Sequence, residues 1–333
     1  MNFDLSDDQH QIKRTARELL ASRSTMEKVR AAAEEGRYDT DLYKEIAELG
    51  WPGIAIAEEH GGQGLGMVEL AAVLEELGYA CAVTPFLGTV LAALVIEHAG
   101  SDEQRSRWLP KLASGEARGA LGTVDELVPD APGADVIVLA DPEAWTATLL
   151  DGSSVEQVAS IDPTRRYGRV EGSGEPLEGD VAAALERAVI AVAAELVGVS
   201  QRALDMTLDY VKERKQFGVP VGSFQAVQHK AAQMLRDTES ARAATYFAAW
   251  AADADPERLA MAAAMAKTTA SDAGRSVTGD AIQLHGGIGF TWEADLHWLF
   301  KRAQLDSRLL GGASAHRRRI ARLAAAQRTA AVS

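Results

Sequence analysis

The sequence has a single cysteine, Cys81, in 333 residues, so no internal disulfide can form and nothing points to an oxidising compartment. Long apolar runs are missing too. AVIAVAA and TVLAALVI fall well short of the roughly 20 residues that cross a bilayer, and no membrane span is expected. The N-terminal stretch MNFDLSDDQHQ lacks the basic-then-apolar order of a secretory signal, which with the lone cysteine predicts a cytoplasmic protein. Positive charge is scarce: 34 Lys and Arg against 48 Asp and Glu give a formal net charge of -14, which argues against nucleic acid as a partner. The histidines do not pair with Cys81 or with one another at metal-ligand spacing, so no metal site is expected. Neither a G-x-S-x-G elbow nor a P-loop occurs.

What is present reads as an ordinary globular chain, 47% hydrophobic and 25% charged, long enough for two or three packed layers or domains. The first third is helical. Ser6 with Gln9 forms a capping box, and Ile12, Ala16, Leu19 and Leu20 then share one face. Thr40 reads as the cap of a helix carrying Leu42, Ile46 and Leu49, ended by Gly50. Further helical patterns follow in VELAAVLEELG and TVLAALVIEHAG, and Ser101 with Gln104 makes a second capping box. Between roughly residues 119 and 180 the texture changes to short β-like runs, GALGTV, DVIVLA and AWTATLL, divided by Pro, Gly and Asp. Long helical patterns then return, and four long helices with short connections are expected to pack as a bundle. The predicted organisation is an N-terminal helical domain at 1–118, a small middle β domain at 119–180 and a C-terminal four-helix bundle at 181–333. The basic cluster His316-Arg317-Arg318-Arg319 reads as the cationic end of a helix, complementing its dipole.

The stretch QLHGGIGFTWE invites comparison with a phosphate-cradling dinucleotide loop. Such a loop follows a strand and opens a helix. Here an Ala-rich helical pattern precedes it, so these glycines close a helix. By itself Gly286-Gly287 is a plain helix C-cap, and ERKQFG a solvated helix end.

Three blocks taken together carry more. GWPGIAIAEEHGGQGLGMVELAAVLEELG, ERKQFGVPVGSFQAVQHKAAQM and DAIQLHGGIGFTWEADLHWLFKRA resemble, in order and spacing, signature segments of the acyl-CoA dehydrogenases. The resemblance spans the N-terminal helical region and the whole C-terminal bundle. It implies a mainly α fold with a small β insertion, and FAD bound at a subunit interface. In that family the RKxFG and Gln-x-x-Gly-Gly segments reach across to the adenosine and pyrophosphate half of a neighbouring subunit's FAD. The corresponding positions are Arg214, Phe217, Gln283, Gly286 and Gly287. The residue types suit that role, since a guanidinium offers a fork of donors to phosphate and glycine lets the backbone approach an anion. His285, beside the glycines, is read as packing locally, with FAD contact as the alternative.

The departures from the family are as informative. Counted without gaps, the position of the family's catalytic Glu holds Leu310, and the position used by a sub-group holds Ala188. The middle region is short and carries neither a TEPGAGSD-like segment nor a later Trp-x-Thr/Ser, which in the family hold the flavin ring and the thioester. No catalytic residue is therefore expected in this chain. Glu195, Glu186 and Asp306 are the residues left to consider as a relocated base. The resemblance, with these gaps, implies the short, base-lacking subunit of a heteromeric acyl-CoA dehydrogenase, a heterotetramer with a homologous subunit. That partner would hold most of the acyl-CoA, with electron-transfer flavoprotein as acceptor and a bulky substrate such as a steroid-CoA. The rival expectations are a self-sufficient homomeric dehydrogenase and a helical scaffold without flavin.

Overall fold

The computed structural model describes residues 5–330; residues 1–4, the start of the acidic N-terminal stretch, lie outside it. The chain opens with six helices: α1 (Asp7–Arg23), α2 (Met26–Glu34), α3 (Thr40–Glu48), α4 (Met67–Tyr79), α5 (Phe86–Ala99) and α6 (Asp102–Ala113). Both expected capping boxes form, Ser6 with Gln9 and Ser101 with Gln104. The cap of α3 is one residue earlier than expected. Asp39, not Thr40, accepts from the Leu42 N–H, because the Asp39 N–H is tied to the Val83 carbonyl at 2.8 Å and holds that residue at the helix mouth. Leu42 and Ile46 of α3 are buried as expected, whereas Leu49, just past the helix, is exposed.

Seven strands follow: β1 (Gly119–Thr123), β2 (Val128–Pro129), β3 (Val136–Asp141), β4 (Thr146–Asp151), β5 (Ser154–Val158), β6 (Tyr167–Glu171) and β7 (Glu175–Pro176). They form one sheet in the order β1-β3-β4-β7, with β1 and β3 parallel, and another in the order β2-β6-β5. Strand alternation divides their side chains between two cores. Leu121, Val136, Val138 and Leu149 join the large helical core, while Ala120, Ile137 and Leu150 pack with Val128 and Ala131 in a small separate one.

The C-terminal part is built on α7 (Val181–Glu213), followed by a hairpin of β8 (Lys215–Gln216) and β9 (Val219–Pro220), then α8 (Gln225–Ala254) and α9 (Pro256–His285). From Ala188 to Ser200 α7 is buried on every side, the mark of a central helix. Gly78 of α4 and Gly198 of α7 let these two helices touch backbone to backbone. A Cβ on Gly198 would collide with the Glu75 carbonyl, and one on Gly78 with the Glu195 carbonyl. The expected four-helix bundle is built from α7, α8, α9 and a last, interrupted segment. The last part of the bundle is divided into α10 (Leu296–Asp306) and α11 (Ala313–Ala330), with Leu310 and Gly311 at φ 55° and 95° in the break between them. The basic cluster also sits differently: His316 to Arg319 lie in the first turns of α11, so they cannot complement the dipole at its far end. They pair sideways instead, Arg317 with Asp272 of α9 and Arg319 with Glu186 of α7.

Candidate functional site

Arg214 is the residue that ends α7. Its N–H donates to the Tyr210 carbonyl at 2.8 Å, and its own carbonyl accepts from the Val221 N–H at 2.7 Å. The main chain is thus held from both sides while the side chain is exposed and has no partner among the described residues. The β8–β9 hairpin turns on Phe217 and Gly218, both at positive φ, 53° and 82°. Such a two-residue turn suits Asn-Gly best. With Phe in the first position it is strained, and it presents a ring that is 93% exposed, with only an edge contact to Phe224 at 6.3 Å.

Gln283, Gly286 and Gly287 stand where α9 ends. Gly286 has φ 63° and ψ -141°, a conformation essentially confined to glycine. Neither Gly286 nor Gly287 has any atom within 4 Å of where a Cβ would be, so this backbone lies open to approach. The Gln283 side chain is exposed and likewise unpartnered among the described residues. Beside them His285 turns inward. It is buried, its Nδ1 donates to the Ala281 carbonyl at 2.8 Å, and its ring stacks on Tyr210 with centroids 4.2 Å apart. Burial pushes its pKa below the usual histidine value, against the opposing pull of that carbonyl. Ile288, Phe290 and Trp292 continue the segment as an exposed apolar strip, Phe290 at 76% and Trp292 at 72%.

The residues weighed as bases are placed quite otherwise. Glu195, midway along α7, receives the Arg165 guanidinium through bonds of 2.9 and 2.8 Å and Arg302 of α10 at 2.6 Å. Arg165 also donates to Asp130 at 3.0 Å, and Arg302 to Asp162 at 3.1 Å and to the carbonyls of Ala82 and Thr164. Asp130 in turn accepts from Tyr38 at 2.6 Å. This buried network ties the first helices, the strand region and the bundle together. Asp306 lies at its edge, 3.6 Å from the Arg165 Nε. Burial lifts its carboxyl to about 7, with Arg165 pulling the other way and Glu195 adding to the rise. Glu186 is buried against Arg319, which also lies over the Trp145 ring at 4.3 Å. Leu310 and Ala188 are both buried. The break that carries Leu310 is fixed by Lys267 Nζ to the Asp306 carbonyl at 2.7 Å, Ser271 Oγ to the Ser307 carbonyl at 3.2 Å and His316 Nε2 to the Leu310 carbonyl at 3.0 Å.

The structure therefore gathers Arg214, Phe217, Gln283, Gly286 and Gly287 at exposed positions around the ends of α7 and α9, linked through Tyr210. It buries the carboxyl candidates in the interior, Glu195 and Asp306 around Arg165 and Glu186 against Arg319. Tyr210, Arg165 and Arg302 were not singled out from sequence. Tyr210 had one available signal, its place one helical turn before Arg214.

Two family descriptions match this chain: acyl-CoA dehydrogenase, N-terminal domain, over residues 6–116, and acyl-CoA dehydrogenase, C-terminal domain, over residues 180–325. The chain belongs to the acyl-CoA dehydrogenase family. It is 37% identical to acyl-CoA dehydrogenase IpdE2 of Mycolicibacterium smegmatis over 309 residues, 92% of this chain and 96% of that one. Among solved structures it is similar to the Tcur3481-Tcur3483 steroid ACAD, at 30% identity and TM-score 0.88, covering 97% of this chain and 99% of the other. The ChsE4-ChsE5 complex from Mycobacterium tuberculosis gives 28% identity and TM-score 0.87 over 98% and 99%. This acyl-CoA dehydrogenase-family chain is an FAD-type oxidoreductase. Its residues fit the anchoring of such a cofactor. A free guanidinium and a free amide accompany an exposed glycine backbone whose side-chain positions are open, a set suited to a phosphate-bearing ligand. No helix among the described residues is long and apolar enough to cross a membrane.

Proposed function

We propose that this chain is the FAD-anchoring, base-lacking subunit of a heteromeric acyl-CoA dehydrogenase that introduces an α,β double bond into an acyl-CoA thioester. A longer homologous subunit would supply the catalytic base, the flavin-ring site and the thioester pocket. The observation that carries this reading is the contrast between the two faces of the chain. The Arg214 and Gln283 side chains face outward without partners among the described residues beside an exposed Gly286-Gly287 backbone, while every carboxyl weighed as a base is enclosed by its own chain's cations. FAD, when bound, supplies the hydride acceptor. This chain's part is to hold the phosphates with Arg214, to offer the Gln283 amide and the open glycine backbone, and to lay Phe217 against the cofactor.

Two of the similar structures are described by paired components, ChsE4-ChsE5 and Tcur3481-Tcur3483, which supports a heteromer, a heterotetramer in the simplest arrangement. The second is a steroid ACAD, which supports a bulky steroid-type acyl group, and an electron-transfer flavoprotein is the natural acceptor. We place this assembly in the cytoplasm.

The test is to purify the chain alone and together with a homologous partner, then record the visible spectrum and turnover of acyl-CoA thioesters. The expected result is little flavin and no turnover for the single chain, with both present in the mixed assembly. Stoichiometric flavin and turnover in the single chain would overturn the proposal in favour of a homomeric enzyme.

A further inference from the structure

Tyr210 touches both outward-facing segments. Its backbone carbonyl accepts the Arg214 N–H at 2.8 Å, an ordinary helical bond at the end of α7, so its side chain stands one turn before that of Arg214. Its hydroxyl donates to the His285 carbonyl at 3.2 Å, and its ring lies on the His285 imidazole with an interplanar angle of 19°. That carbonyl belongs to the peptide bond that leads into Gly286. Holding it fixes the orientation of the peptide plane at the start of the open glycine stretch.

This hold matters because the other tie on that peptide, the Gly286 N–H to the Gln283 carbonyl, stays within the end of α9. Gly286 and Gly287 have no neighbour where a side chain would be, and glycine has the widest conformational freedom of any residue. The imidazole is already committed on its other side, through Nδ1 to Ala281 within α9. The stacked pair therefore ties the turn that follows α9 to the end of α7.

We infer that Tyr210 is a positioning residue for the cofactor: it holds Arg214 and the Gly286-Gly287 backbone in one fixed relation, so that both engage the same bound phosphate-bearing ligand. The His285 ring serves as the surface against which Tyr210 rests and does not itself meet the ligand. This rests on the reading of Arg214 as an FAD anchor. Preorganisation of this kind acts by lowering the ordering cost of binding, so its loss weakens affinity without removing any contact to the ligand.

The experiment uses the native assembly containing this chain, stripped of flavin and titrated with FAD by fluorescence quenching. Thermal unfolding of the flavin-free assembly and hydrogen exchange at residues 286–289 are followed in parallel. Tyr210→Phe keeps the stack and loses the hydroxyl; it should weaken FAD binding by about three- to tenfold and speed exchange in the glycine stretch. Tyr210→Ala loses both and should weaken binding by about tenfold or more. His285→Phe keeps both a stacking ring and the carbonyl, so binding should stay within about threefold of the unaltered chain. Arg214→Ala is the reference. If it weakens FAD binding while Tyr210→Phe and Tyr210→Ala bind normally, the positioning role is overturned. If His285→Phe loses as much affinity as Tyr210→Ala, the imidazole itself meets the ligand and the role assigned to Tyr210 is overturned. If Arg214→Ala also leaves affinity unchanged, the anchor reading fails and this inference falls with it. Should Tyr210→Ala not fold, Tyr210→Phe decides alone.

Discussion

Arg165 Nη2 donates to both carboxylate oxygens of Glu195, at 2.9 and 2.8 Å, in an interior where both side chains are almost wholly buried. Removing one member of such a pair leaves the other charge unsolvated, and the cost of that exceeds the net worth of the pair. Glu195→Gln should therefore destabilise the chain by about 3 to 5 kcal/mol, since Arg165 and Arg302 both lose their shared carboxylate. Denaturant unfolding measures this directly. A glutamate acting as catalytic base would behave in the opposite way, with turnover lost and the unfolding midpoint unchanged. That outcome would move Glu195 from the framework to the chemistry.

The pH dependence of stability should carry the signature of two other buried groups. Burial raises the Asp306 carboxyl from 3.8 to about 7, opposed by Arg165. Between those values the folded chain binds more protons than the unfolded one, so stability should fall as pH rises from about 4 to 7. Burial lowers the Lys267 ammonium from 10.5 to about 7, opposed by Asp306. There the unfolded chain binds more protons, so this group should restore stability as pH rises from 7 towards 10. Asp306→Asn should flatten the acid-side decline, and Lys267→Met should flatten the alkaline rise. Thermal unfolding across this pH range, with each variant, checks both signs. A decline on the acid side that persists in Asp306→Asn would assign it to another group.

How much of this was readable beforehand follows from the distance over which each interaction acts. The capping boxes at Ser6 and Ser101 were legible because both partners lie within one helical turn. At Asp39 and Thr40 two good caps stand side by side, and a contact to Val83 decides between them, which no local pattern reveals. The length of α11 was misjudged because its Ala-rich tail continues as helix well beyond Arg319. The interior network was invisible in sequence. Arg165 and Glu195 are 30 positions apart, and Glu195 and Arg302 are 107 apart, so Arg302 in WLFKRA looks like any solvated helix residue. Tyr210 and His285, 75 positions apart, meet only because α7 and α9 end together. The candidate anchor residues are legible only by resemblance, and their physical signature in the structure is exposure, with the Arg214 and Gln283 side chains unpartnered among the described residues.

That exposure has a consequence for assembly. Phe217, Phe290 and Trp292 are 93%, 76% and 72% exposed, and Ile288, Val219 and Phe224 add to the apolar surface near them. Surface of this kind is usually covered by a partner. The chain produced alone should self-associate at micromolar concentration, and Phe290→Ser with Trp292→Ser should reduce this in sedimentation velocity while leaving the helix content unchanged. A well-behaved monomer before substitution would show that these rings need no cover.

Arg214 gives the most direct test of the cofactor reading, because its main chain is fixed and its side chain is free. Its backbone is held by Tyr210 and Val221, so replacing the side chain leaves the end of α7 in place. An exposed side chain of this sort contributes little to folding, and Arg214→Ala should unfold like the unaltered chain. Its loss should nevertheless remove a charge-assisted contact worth about 1.5 to 3 kcal/mol, or roughly ten- to a hundredfold in FAD affinity of the assembly. Arg214→Lys should recover only part of that loss. An ammonium keeps the charge but not the fork of parallel donors that suits a phosphate. Added salt should then weaken binding by the Lys variant more than binding by the unaltered chain, since a point charge is easily screened and a fixed pair of hydrogen bonds less so. Flavin fluorescence quenching at two salt concentrations, with circular dichroism as the folding control, separates these terms. Equal affinity for Arg, Lys and Ala at this position would reduce ERKQFG to the end of a helix, and the open backbone at Gly286-Gly287 would need another ligand.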